Sequence, residues 1–223
     1  MKQTTLIRSL LVAALAAASA TITSATPAYS WNLSRSMING FNSNPFGEGQ
    51  VWTAMYDAVG ETLNPANYQP MPNFVSNYDG RPNDAWNFPP SHSLIVQAPT
   101  GTFLLGNNPP IQRGTPLMHP GPGKSSVIRW TSPINGQVQV LARVSDANAG
   151  CGNGVTWNVL RDNVSVASGT IANGANGDVV QLTVPVQASN NGYAGTSLYF
   201  VVSPNGGNHQ CDTTIFDVLI AGK

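Results

Sequence analysis

The stretch Gln137–Val144, QVQVLARV, alternates with a period of two: Val138, Val140, Ala142 and Val144 fall on one face, Gln137, Gln139, Leu141 and Arg143 on the other. Side chains of an extended strand point to opposite faces in turn, so this pattern specifies a strand with one buried and one exposed side. Similar runs lie on either side of it. Upstream are Ser93–Ala98, Gly101–Leu105 and Ser126–Thr131 (SVIRWT). Downstream are Val155–Leu160, with Val155, Trp157 and Val159 on one face, then Val164–Ile171, Val179–Val186, Leu198–Ser203 and Thr213–Ile220. Turn residues punctuate them: Asn-Gly pairs at 135–136, 153–154, 173–174, 176–177 and 205–206, and a hairpin turn at Arg161-Asp162-Asn163. Asn and Gly suit tight turns because both tolerate positive φ, and Asn also bonds its own backbone. Short strands at regular spacing, with no helical period, specify an all-β chain, an antiparallel sandwich or barrel.

Composition agrees and narrows the partners. The 223 residues include 22 Gly, 17 Pro and 23 Asn, the punctuation of a short-stranded sandwich. Charged residues make up 9%, against the usual quarter or so, and apolar residues 41%. Charge-rich disorder and a helical bundle are both excluded by these figures. No basic stripe is present to neutralise phosphates, so no nucleic-acid partner is expected. Residues 31–92 are less regular. Gln50–Asp57 reads as a strand, whereas about 62–91 reads as a long crossover rich in proline and aromatics (Tyr68, Phe74, Tyr78, Trp86, Phe88). Long segments of this kind either pack down by their aromatics or carry function.

The N-terminus has the form of a secretory signal: Lys2 and Arg8, then an apolar run from Leu10 to Ala20, too short to span a bilayer. Cleavage is expected after Ala20 or after Ser30. Removal of residues 1–30 leaves one domain, 31–223, with eight basic and ten acidic groups and no membrane span. A secreted monomer, extracellular or periplasmic, is the expected product. In an oxidising compartment the even pair Cys151 and Cys211 reads as a disulfide.

Catalytic signals are sparse. The histidines are His92, His119 and His209, and no G-x-S-x-G elbow, H-E-x-x-H motif or phosphate loop occurs. Most aspartates sit in turns. The disulfide would tie the loop Asn205–Asp212, containing Asn208, His209 and Gln210, to the loop Asp146–Asn153. That would form a rigid rim of amides and imidazole suited to hydroxyl-rich ligands. His119 opens a stiff His119-Pro120-Gly121-Pro122-Gly123 loop and is either structural or ligand-facing.

These residues also carry a resemblance. His119-Pro-Gly-Pro, the run SVIRWTSP ending at Pro133, and Gly136–Val140 resemble the middle of a bacterial exported β-sandwich module of the carbohydrate-binding kind. Gly152–Val159, Leu198–Pro204 with Asn208, and Asp212–Ile220 resemble its later strands, and Asn44-Pro45-Phe46-Gly47 with Trp52 its opening. The hairpin at Asp162-Asn163 departs from that module's Asn-Gly. The resemblance spans roughly 44–221 and implies a jelly roll without catalytic residues.

The function it implies is that of a secreted, non-catalytic glycan-binding module or stand-alone protein, with a polysaccharide or cell-surface glycan as partner. Tyr78 and Trp86 would stack on sugar rings, while His119, Asn208, His209 and Gln210 would orient hydroxyls. The resemblance also implies a structural calcium near the first and last strands, for which Asp217 is the candidate ligand. A structural or adhesion protein of the cell surface or matrix is the alternative, and a secreted hydrolase a third reading.

Overall fold

The inward row Val138, Val140, Ala142 and Val144 is buried as the alternation requires, each no more than 2% exposed. The computed structural model describes residues 29–89, 93–97, 102, 104–105, 110–190 and 194–222. His92, nearly all of the expected leader and part of the Gly101–Leu105 run lie outside them. In chain order the strands are β1 (Tyr29–Asn32), β2 (Trp52–Asp57), β3 (Tyr68–Pro70), β4 (Asn73–Val75), β5 (Asp84–Phe88) and β6 (Ser93–Gln97). They continue with β7 (Leu117–His119), β8 (Ser126–Thr131), β9 (Gly136–Asp146) and β10 (Val155–Arg161). The last four are β11 (Val164–Ile171), β12 (Asp178–Val186), β13 (Ser197–Pro204) and β14 (Thr214–Gly222).

Two antiparallel sheets result. The larger runs β12-β9-β14-β7-β6-β5-β4, with β1 also paired to β14; the smaller runs β11-β10-β13-β8-β2-β3. From β8 onward the chain changes sheet at every connection except the β10–β11 hairpin, which is the jelly-roll pattern. That hairpin turns at Asp162, held at φ +52°, and the Asp162 Oδ1 accepts the Ser197 amide at 2.9 Å. The inner faces meet in one large core in which Trp130, Trp157, Phe200 and Val202 of the smaller sheet pack with Val140, Val144, Phe216 and Val218 of the larger. The glycines of the five Asn-Gly turns between the later strands (136, 154, 174, 177 and 206) take positive φ. At Gly177 the requirement is also steric, since a Cβ there would lie 1.8 Å from the Val144 carbonyl oxygen.

Cys151 and Cys211 are joined, as expected, with Cα atoms 5.5 Å apart. The 62–91 segment differs from its reading as an unstructured crossover. Its strands are only three to five residues long, too short to show a period, yet β3 edges the smaller sheet while β4 and β5 complete the larger. A short helix α1 (Leu33–Gly40) was also not foreseen. Asn32 caps it by accepting the Arg35 amide at 2.8 Å, and Leu33 and Met37, one turn apart, go into the core. Of the two expected cleavage points, one after Ser30 would remove half of β1, whose Tyr29 pairs with Gly222; one after Ala20 leaves β1 whole.

Asn44 ties the entry segment to β2. Its side chain accepts the Ala54 amide at 2.9 Å and donates to the Ala54 and Met71 carbonyls. Asn44→Ala would remove three hydrogen bonds to backbone, the Ala54 carbonyl alone keeping another partner in the Met71 amide, and urea unfolding should show a loss of about 2 kcal/mol. A loss within experimental error would contradict this role.

Candidate functional site

Alternation along β9 decides what faces outward at its end. With Val144 turned to the core, Arg143 and Ser145 point to the outer face of the larger sheet, opposite Asp217 and Ile215 of β14. The loop 110–116 rises on one side of this floor and the turn 174–176 on the other. Between them lies a cleft of about 540 Å³ lined by both arginines, Arg113 and Arg143, by Gln112, Ser145, Asp146 and Asp217, and by backbone of the two loops. Ser34 of α1 reaches its rim and donates to the Gly114 carbonyl at 2.6 Å, fixing the 110–116 loop. The Ser145 hydroxyl and one oxygen of Asp217 make no hydrogen bond within the protein. Burial pushes the Asp217 carboxyl up, while the Val218 amide and the facing Arg143 pull it back down.

The sequence-derived candidates divide into three groups. Trp86 belongs to the core: it is 9% exposed, packs on Phe74, and donates its indole N–H to the Phe41 carbonyl at 2.6 Å. Its ring therefore offers no face to a ligand. Tyr78 is half-buried against a small apolar cluster of Ile111, Leu117 and Ala147, behind the wall of the cleft. Burial, and then the charge of Asp79, raise its phenol above the usual value.

His119, Asn208, His209 and Gln210 form the second group. The His119 and His209 rings meet edge to face, 6.2 Å apart, and Asn208 accepts the Gln210 amide at 3.1 Å. Asn153 and Asn205 bond reciprocally, each amide to the other's carbonyl, so the rim tied by the disulfide exists as a unit. None of the four residues lines the cleft.

Asp217 is the third. It is in the cleft, but its surroundings do not fit calcium. Its cross-strand neighbour is the Arg143 guanidinium, and among the described residues no group of three His, Cys, Asp or Glu side chains gathers. The cleft itself was not foreseen, because its residues come from five separate stretches of chain.

Two further aspartates were not singled out in the sequence. Asp57 is fully buried and saturated: it accepts the amides of Val59, Gly60 and Thr62 and the Thr62 hydroxyl, and so closes the turn after β2. Asp212 is its opposite, 2% exposed with both oxygens lacking a hydrogen-bond partner.

Neither a family model nor a curated protein matches the chain. Solved structures match in part. The CBM51 of a Clostridium perfringens GH95 protein, in complex with methyl-galactose, aligns at 17% identity and a TM-score of 0.37, over 56% of this chain and 81% of that one. The C-terminal CBM6 of LamC, a marine laminarinase from Zobellia galactanivorans, aligns at 12% and 0.28, over 76% and 98%. A CBM36-1 domain of a xylanase from the hindgut metagenome of Trinervitermes trinervoides aligns at 14% and 0.30, over 56% and 86%. The chain is similar to carbohydrate-binding modules. The β-sandwich itself stands on the strand pairing given above.

Burial holds the Asp212 carboxyl up at about 6; the Asn153 and Gly154 amides oppose this, and the neighbouring Asp146 charge adds to it. A carboxyl that is more basic folded than unfolded costs stability as pH rises from about 4 to about 6, and the full cost is present above that. In EDTA at pH 7.5, Asp212→Asn should therefore melt roughly 3–6 °C above the parent protein. At pH 4 the two midpoints should converge. A variant that melts lower at pH 7.5 would contradict the assignment.

Proposed function

We propose that the protein is an exported, non-catalytic glycan-binding protein and that the cleft over Arg143 and Asp217 holds the sugar. The observation that carries this reading is the chemistry of the cleft wall. Guanidinium, carboxylate, amide and hydroxyl groups converge there on a rigid sheet, and two of their oxygens have no protein partner. Hydroxyl-rich ligands both donate and accept, and such a set answers both needs. Among the described residues no aromatic ring lines the cleft, so recognition here is by hydrogen bonds rather than by ring stacking. Next to the cleft, Leu141 and Leu219 form an exposed cross-strand pair, with Val179 beside Arg143, and this strip can take the apolar C–H face of a sugar. The Asn208–Gln210 rim is a second polar surface that an extended polysaccharide could reach. The disulfide supports export, and no helix among the described residues is long and apolar enough to cross a membrane.

The same exposed strip favours one other reading, an adhesion protein that docks through the outer face of the larger sheet. A panel of immobilised polysaccharides separates the two. The folded mature protein should be retained on at least one of them, and Arg143→Ala should weaken that retention about tenfold. A blank panel, or an Arg143→Ala variant that binds as the parent does, would overturn the cleft assignment.

A further inference from the structure

At the end of β14 away from the cleft, aromatic rings close the sandwich. Tyr29 and Trp31 are two apart on β1 and so share a face. Their rings stack with centroids 6.1 Å apart and planes within 16°, and Trp31 packs in turn on Trp130 of the core at 5.2 Å. Their partners across the strand pair are Gly222 and Ile220 of β14. A Cβ on Gly222 would lie 2.5 Å from Ile134 Cδ1 and 3.4 Å from the Trp31 ring, so glycine there lets both side chains close over the strand. The core thus holds Trp31 from beneath, and Tyr29, 55% exposed, is the outer ring of the stack.

A polar wall stands beside these rings. Helix α1 turns Leu33 and Met37 inward and leaves Arg35 and Asn39 outward. The turn between the paired residues Phe46 and Trp52 is pressed against that helix: Gly47 has φ +78°, and a Cβ on it would lie 2.8 Å from Ser36 Cβ. Glu48 and Gln50 therefore project from a turn fixed to both helix and sheet. Two hollows of about 350 Å³ and 460 Å³ lie here, and Ser30, Trp31, Arg35 and Glu48 line both, so they are the halves of one groove. The side chains of Arg35, Glu48 and Gln50 are exposed and make no hydrogen bond or ion pair with any described residue.

We propose that this groove is a second glycan-binding site, so that one molecule tethers two polysaccharide chains. The proposal rests on the glycan reading of the protein but not on the cleft assignment. Tyr29 and Trp31 supply the ring face on which the apolar C–H side of a sugar stacks, and Arg35, Glu48 and Gln50 flank it with donors and acceptors for hydroxyls. The two sites complement each other, the cleft having polar groups without a ring and the groove having rings with polar margins. A nucleic acid is the poorer occupant, because the single cation of the groove, Arg35, is matched by the single anion, Glu48. Both sites can be filled at once: Asp217 of the cleft and Gly222 beneath the rings are separated along β14 by about 17 Å at the usual strand rise. Two separate sites on one rigid body turn weak single contacts into avid retention.

The test uses the disulfide-bonded protein from Thr21, in which β1 is whole, on native gels cast with laminarin, galactomannan, xylan or alginate. At least one of these should retard the parent. Tyr29→Ala removes an exposed ring and should fold, yet weaken binding roughly three- to tenfold. Glu48→Gln should act in the same direction, and Tyr29→Ala combined with Arg143→Ala should abolish retardation. In solution the parent should cross-link the same polysaccharide into a turbid mixture, which Tyr29→Ala or Arg143→Ala alone should clear. A Tyr29→Ala variant retarded as strongly as the parent, with Arg143→Ala weakened, would overturn the groove and leave the cleft standing. A parent retarded by none of the four would overturn the glycan reading and the groove with it, and a parent that binds without turbidity would overturn tethering. A concentration-dependent dimer that Tyr29→Ala dissolves would give the groove to a second copy of the chain and overturn the proposal as well.

Discussion

The strict alternation of side chains along β9 is the constraint from which the rest follows. This strand is hydrogen-bonded on both sides, to β12 over Gly136–Val144 and to β14 over Val138–Asp146. Its inward row faces the aromatic layer of the opposite sheet, and a slip of one residue would exchange Val138, Val140, Ala142 and Val144 for Gln137, Gln139, Leu141 and Arg143. Burial of that row is thus inseparable from display of Arg143 and Ser145 on the outer face, and from the position of Asp146 where the strand ends. Core packing and site geometry are two consequences of one register.

Around that strand the protein concentrates polar chemistry at one end of the sandwich. The loops after β9, β11 and β13 meet there, held by the Cys151–Cys211 bridge, the reciprocal Asn153–Asn205 pair and the amides that Asp146 accepts. Asp146 stands at the junction: one side of it lines the cleft, the other faces Asp212. Rigid loops carried on a sheet limit the entropy lost when a flexible, hydroxyl-rich ligand is bound. They also explain why so few charged residues suffice, because the ones present are placed rather than scattered.

The strands from Ser126 onward were legible because each is long enough to express a period of two and is closed by turn residues with one conformational meaning. Legibility failed where local pattern carries no such information. The strands Tyr68–Pro70 and Asn73–Val75 have three residues each and exist only through their pairing with β2 and β5. The helix Leu33–Gly40 buries two side chains, too few for a recognisable stripe. Trp86 shows the same limit in the candidate site: an aromatic-rich segment does not reveal which rings turn inward. The disulfide-tied rim was legible from two cysteines and their flanking amides. The cleft was not, since Ser34, Gln112, Arg143, Asn176 and Asp217 meet only in the folded chain. Nothing in the sequence tells the buried Asp57 and Asp212 apart, yet Asp57 is saturated by hydrogen bonds and Asp212 is not.

The claim that unites these observations is that the outer face over the end of β9 is where the protein meets its ligand. The most direct measurement is an NMR titration of the labelled mature protein with a soluble oligosaccharide cut from whichever polysaccharide retains it. The account predicts the largest shifts at the amides of Arg113, Arg143, Asn176 and Asp217 and at the Arg143 side chain. Shifts confined to Asn205–Gln210 and His119, with Arg143 and Asp217 unmoved, would contradict it.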